Sequence, residues 1–197
     1  MCGIAGLIHK NKTVNIGKEL EDMLQALKHR GPDSTGFALY GEGENNSYIM
    51  RFKVGENVKE GSSASNEGDE VYDARKAQVD KYLGELGAEV VSEDQITPYS
   101  FKYIINYDKD LMEYSKKIES VEMTEILSIG KSLELVKDIG DAGVVSKQYG
   151  LDKIRGTHAI GHTRMATESG VDIRSAHPFW GYPFSDVSVV HNGQLTN

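Results

Sequence analysis

The apolar positions of the chain change period several times, and each change marks an element. Gly3-Ile4-Ala5-Gly6-Leu7-Ile8 is an unbroken run of small and apolar residues, which predicts a buried strand with close backbone approach at its glycines. From Asn15 to Lys28 the apolar residues fall at Ile16, Leu20, Met23, Leu24 and Leu27, the spacing of an amphipathic helix. His29-Arg30-Gly31-Pro32-Asp33-Ser34-Thr35-Gly36 follows, a loop that glycine and proline force out of helix. Phe37-Ala38-Leu39-Tyr40 and the stretch 48–54 predict two strands, with a polar turn at 42–47 between them.

Residues 56–69 are polar and rich in Gly, Ser and Asn, the composition of a mobile loop. The spacing then predicts a helix over 71–86 with Gly87 as its C-terminal cap. A short strand at 88–91, an aromatic-rich strand at 99–107, a helix at 109–120 and a strand at 123–129 complete the middle of the chain. Gly130-Lys131 turns into 133–137 as a hairpin, and 141–149 reads as a short helix. The stretch from about 56 to 122 has its own strand–helix alternation. It reads as an insertion between two hairpins of one core, or as a separate small domain.

The chain has 197 residues, with 39 % hydrophobic and 26 % charged positions, an ordinary globular balance. Net charge is −8 and no Lys/Arg cluster appears, which argues against nucleic acid as a partner. Neither a secretory signal nor a membrane-spanning apolar run is visible. The one cysteine cannot form an intrachain disulfide and suits a reducing compartment. These features predict a soluble cytoplasmic protein. CxxC, HExxH and P-loop patterns are absent, so the sequence predicts no metal site and no cofactor in this chain.

That one cysteine is Cys2, directly after Met1. Initiator methionine is usually removed before a small side chain, which would leave Cys2 with a thiol and a free α-amine. Such an amine has a pKa near ~7.7–8.0, so one residue can supply nucleophile and general base together. The alternative is an inert cysteine at an accidental place.

Two motifs near the other end carry further chemistry. Thr157 to Thr167 runs as a strand toward a loop, and Arg164 at its end could hold a small carboxylate by a two-pronged hydrogen bond or be a surface arginine. Val187-Ser188-Val189-Val190-His191-Asn192-Gly193 is a β-branched strand that stops at Asn-Gly. Asn-Gly is a strong hairpin turn signal. The alternative is an oxyanion hole, with the Asn192 amide and the Gly193 N–H aimed at developing negative charge.

Taken in order, MCGI, HRGPDSTG, GHTRMAT, SAHP and HNG resemble the motifs of the class II glutamine amidotransferases, which are N-terminal-nucleophile hydrolases. The match covers about 2–55 and 123–197. The resemblance implies an α+β fold, a four-layer α/β/β/α sandwich over 1–197 interrupted by the α/β insertion at about 56–122. It also implies roles for individual residues. Cys2 would be the nucleophile, and Asn192 and Gly193 the oxyanion hole. Arg164 would bind the α-carboxylate of L-glutamine, with Thr167 and His177 lining the pocket. Arg30, with Gly31 and Asp33 in its loop, would support the site. Met165 stands where many members carry tryptophan.

Members of the family bind the substrate α-amine with an acidic residue some tens of residues beyond HNG, so the resemblance implies either that the chain is a fragment of a longer polypeptide or that a second piece completes it. It further implies that ammonia passes to a synthase partner. The layout of the insertion and of the segment 128–141 is similar to the amidotransferase region of glutamate synthase, whose synthase part carries FMN and iron–sulfur clusters. An amidotransferase serving amino-sugar, purine or asparagine synthesis, and a non-catalytic regulatory module of the same fold, are the alternatives.

Overall fold

A computed structural model describes residues 2–43, 46–56, 68–165 and 173–193. The chain divides into two compact units, one of Met1–Glu42, Leu135–Phe179 and Ser188–Asn197, the other of Gly43–Glu134 and Trp180–Val187. The boundaries differ from the 56–122 segment set apart by sequence. The architecture is mixed, with antiparallel sheets and four α-helices among the described residues, compatible with an α+β sandwich. None of those helices is long and apolar enough to cross a membrane.

The first unit is built on strands β1 (Gly3–Ile8), β2 (Ser34–Gly41), β7 (Leu133–Ile139) and β8 (Gly156–Arg164), ordered β1-β8-β2-β7. Helix α1 (Ile16–Ala26) starts where the Asn15 side chain accepts from the Lys18 N–H at 3.1 Å, one of the orphan donors of a first turn. It buries Ile16, Leu20 and Leu24 completely, the i, i+4, i+8 stripe, and packs chiefly on β8. It ends sooner than the periodicity suggests, because Lys28–Arg30 tighten into a 3-10 turn ahead of Gly31-Pro32. Helix α4 (Ala142–Tyr149) is capped by Asp141, which accepts from the Gly143 and Val144 N–H groups. Asp141 also accepts from Gln25 and pairs with Lys28, so one carboxylate joins the ends of two helices.

The run 3–8 is not the buried strand its composition suggests. β1 lies at the edge of the sheet and alternates, with Ala5 buried while Ile4 is 41 % and Ile8 78 % exposed. One face packs under α1, and the edge position leaves the other open. A run of apolar residues cannot distinguish a strand covered on both faces from one covered on one.

The second unit is built on the sheet β4-β5-β3-β6, from β3 (Tyr48–Lys53), β4 (Glu89–Thr97), β5 (Ser100–Asn106) and β6 (Glu125–Gly130). Met50, Phe52, Phe101 and Tyr103 on one face meet Val79 and Leu83 of α2 (Asp69–Leu86) and Tyr114 and Ile118 of α3 (Leu111–Ile118). Gly87 closes α2 at φ 78°, the left-handed cap for which glycine carries no Cβ penalty. β4 is much longer than the expected 88–91 strand. Its second half, Ser92 to Gln95, is polar because it is an exposed edge, so hydrophobic patterning could not see it. The strands of the 56–122 segment extend the β3 sheet: β5 pairs with β3, and β4 with β5. The stretch 56–69, read as a mobile loop, lies largely outside the described residues.

The hairpin expected at Gly130-Lys131 does not form. β6 bonds to β3 and β7 to β2, so this turn carries the chain from one sheet into the other. Asp186, at φ 58°, fastens it. Its carboxylate accepts from the N–H groups of Lys131, Ser132 and Leu133 at 2.9, 2.8 and 2.9 Å and from the Ser132 hydroxyl at 3.0 Å. Burial pushes this carboxyl up, but the ring of donors outweighs it and holds it below its ordinary value. A depressed carboxylate contributes stability that is full above its unfolded pKa of about 3.9 and is lost as pH falls through the lower folded value. Asp186→Asn, which sets an amide against the same N–H groups, is expected to cost about 1 kcal/mol at pH 7, the low end of the range because water screens a half-exposed carboxylate. Urea unfolding at pH 7 and pH 3 checks this: the variant's deficit should shrink at the lower pH.

Candidate functional site

Cys2, Arg30, Gly31, Asp33, Arg164 and Asn192 come together at one end of the β1-β8-β2 sheet. The register sets Gly3 opposite Thr163, and Ser34 and Thr35 opposite Arg164 and Thr163. Cys2, Asp33 and Arg164 therefore stand at the same strand ends. The Asp33 N–H donates to the Arg164 carbonyl at 3.1 Å, and the Asp33 carbonyl accepts from Gly140 at 3.0 Å. Gly31 is required by close approach. A Cβ there would stand 2.5 Å from the Arg164 carbonyl carbon and 2.6 Å from that of Thr163, both backbone atoms that cannot give way.

Cys2 is half-buried. Its carbonyl accepts two hydrogen bonds, from Arg30 Nε at 3.2 Å and from Asn192 Nδ2 at 3.0 Å. The second joins residues 190 positions apart. A donor of the Asn192 amide is thus taken up by the backbone of Cys2. Gly193 follows at a bend where a Cβ would meet the His191 ring at 2.8 Å. Thr167 lies outside the described residues.

His177 lies in a column of rings. Its centroid is 4.9 Å from that of His162, 4.5 Å from Phe179 and 6.4 Å from His191. Lys137 Nζ lies 4.8 Å over the Phe179 ring and donates to the Arg174 carbonyl at 3.2 Å. A Cβ at Gly36 would collide with the His177 carbonyl, so the sheet admits this segment only because residue 36 has no side chain.

His162 is a site residue that sequence reasoning passed over, although it stands two positions before Arg164. The strand period of two puts both on one sheet face. It is 2 % exposed, and the His191 backbone lies within hydrogen-bonding reach of its ring. Burial, then the positive fields of His177 and Arg164, lower its pKa to about 4. His177 is lowered by burial and by His191, Lys137 and Arg164. Both imidazoles are therefore neutral at pH 7, and the fixed positive charge nearby belongs to Arg164 and Lys137. That arrangement favours a small anion such as a carboxylate. Among the described residues no group of three or more His, Cys, Asp and Glu side chains is placed to hold a metal ion.

No family model matches the chain. Individual proteins do. A Methanothermobacter thermautotrophicus protein provisionally named a glutamine amidotransferase is 37 % identical over 202 residues, covering 100 % of this chain and 62 % of its own length. The chain is similar, end to end, to glutamine amidotransferase-like proteins. The Rhizobium meliloti glutamine amidotransferase-like protein GlxB is 32 % identical over 203 residues, covering 100 % of this chain and 60 % of its own length. A glutamine–fructose-6-phosphate aminotransferase of Methanococcus maripaludis is 32 % identical over 92 residues, 45 % of this chain and 15 % of that protein. The chain thus spans about three-fifths of the length of the first two relatives.

Proposed function

We propose that the chain is a class II glutamine amidotransferase with the four-layer sandwich of the N-terminal-nucleophile hydrolases, and that Cys2 becomes its first residue and its nucleophile. The observation that carries this reading is the meeting of Cys2 with Asn192 and Arg30 beside the Arg164 strand end. End-to-end similarity to glutamine amidotransferase-like proteins supports the substrate.

In this reading Arg164 takes the α-carboxylate of glutamine, and Thr167 and His177 line the pocket. The Cys2 thiol gives its proton to its own α-amine, directly or through a water, and attacks the side-chain carboxamide carbon. The tetrahedral oxyanion meets the Asn192 amide and the Gly193 N–H. The α-ammonium returns the proton to departing ammonia, leaving a thioester. Water then cleaves the thioester to glutamate and restores the thiol. Ammonia goes to a synthase partner, and the layout around 56–141 favours glutamate synthase, whose FMN and iron–sulfur chemistry would reside in that partner.

Two measurements test this reading. Asn192→Ala is expected to lower kcat for glutamine hydrolysis by about 10²–10³-fold, the usual loss for one oxyanion donor. An unchanged kcat would remove Asn192 from the chemistry. The acceptor is tested by mixing the protein with candidate synthases, since only the cognate one should stimulate glutaminase turnover.

A further inference from the structure

We infer that the backbone carbonyl of Cys2 is a two-donor anchor that positions the nucleophile, with Arg30 as its positioning residue and Asn192 bound to it through one of two amide N–H groups. This rests on the reading of Cys2 as nucleophile and assigns how that residue is held.

A first residue has no preceding peptide to hold it. Its α-amine and thiol are anchored only through the Cα–C bond to the Cys2–Gly3 peptide. Gly3 sits in the ladder opposite Thr163, which fixes one side of that peptide. The other side is the Cys2 carbonyl. A carbonyl oxygen offers two lone pairs, and here it accepts both the Arg30 Nε–H at 3.2 Å and the Asn192 Nδ2–H at 3.0 Å. The donors come from separate parts of the chain, the 3-10 turn Lys28–Arg30 after α1 and the Asn-Gly corner. The peptide plane is therefore set from two directions, and only the torsions of Cys2 itself remain to place amine and sulfur.

The same contact orients Asn192. A carboxamide carries two N–H groups in one plane. With one on the Cys2 carbonyl, the plane is set, and the second stays available to an oxyanion formed at the adjacent sulfur. Donors fixed before the reaction need no reorganisation during it. Arg30 thus acts on the chemistry through Cys2 and does not touch substrate.

Full-length protein grown with carbonyl-13C cysteine gives a carbonyl resonance for Cys2, identified by its loss in Cys2→Ala. It is compared between wild type, Arg30→Ala, Arg30→Lys and Asn192→Ala, alongside glutamine kinetics. Arg30→Ala and Asn192→Ala should each move the resonance toward that of a carbonyl with fewer hydrogen bonds. Arg30→Ala should lower kcat by about 10²-fold while KM changes by less than about twofold, and Arg30→Lys should restore most of both signals. If Arg30→Ala fails to fold, Arg30→Met, which keeps the apolar stem and removes the donor, carries the comparison with the same shifts expected. A resonance that ignores Arg30 overturns the anchor, and a shifted resonance with wild-type kcat overturns the positioning role. The resonance is read without turnover, so the anchor can be judged even if Cys2→Ala shows that Cys2 is not the nucleophile.

Discussion

Cys2→Ala is expected to abolish glutamine hydrolysis, lowering kcat by on the order of 10⁴–10⁶-fold, the range seen when a nucleophile that works as part of a unit is removed. The fold should survive. Cys2 is half-buried and its hydrogen bonds run through its backbone carbonyl, so the side chain can be shortened without losing them. The melting temperature should stay within about 2 °C of wild type. Steady-state assay of released ammonia with parallel thermal unfolding makes the comparison. Activity retained within tenfold would mean that the thiol does not form the covalent intermediate.

Glu134→Ala is expected to be the most destabilising single change considered, at about 3–5 kcal/mol. Within the second unit the Glu134 side chain is 8 % exposed and accepts from Arg51 Nε and Nη2 at 3.0 and 2.6 Å and from Lys102 Nζ at 3.0 Å. Arg51 is equally buried, and its Nη1 has no hydrogen-bond partner among the described residues. Removing the carboxylate leaves that guanidinium without its counter-charge in a low-dielectric setting. Replacing both Arg51 and Glu134 with apolar residues of similar volume should recover much of the loss, because the penalty comes from one stranded charge. Burial pushes the Glu134 carboxyl up, yet Arg51 and Lys102 more than offset it, and the carboxyl lies below its ordinary value. Its contribution is thus full above about pH 4.3, the unfolded value, and fades as pH falls through the folded one. Denaturant unfolding at pH 7 and pH 3 should show the difference between wild type and Glu134→Ala narrowing in acid.

How far the sequence could be read depended on the range of the interaction. Helix α1 was legible because its apolar stripe and Asn15 cap act within a few residues. The left-handed cap at Gly87 was legible for the same reason. What failed was pairing. Gly130-Lys131 reads as a hairpin turn by local chemistry, and only the bonds of β6 to β3 and β7 to β2 send the strands into different sheets. β1 reads as buried because alternation is invisible in an all-apolar run, and its edge position is set by the order β1-β8-β2-β7. In the site, the approach of Asn192 to Cys2 followed from motif order, since no local signal spans 190 residues. His162 carried a usable signal, two positions from Arg164 on one strand, but its significance comes from burial against His177, which sequence does not display.

Cys2, freed of Met1, is proposed as the group that attacks glutamine. Its most direct test is intact-mass and peptide mapping of the full-length active protein after treatment with a diazo-ketone glutamine analogue. One adduct is expected, on Cys2, in a polypeptide lacking the initiator methionine, with hydrolysis lost in proportion to labelling. Active protein that keeps Met1, or hydrolysis that continues while Cys2 is fully modified, would contradict it.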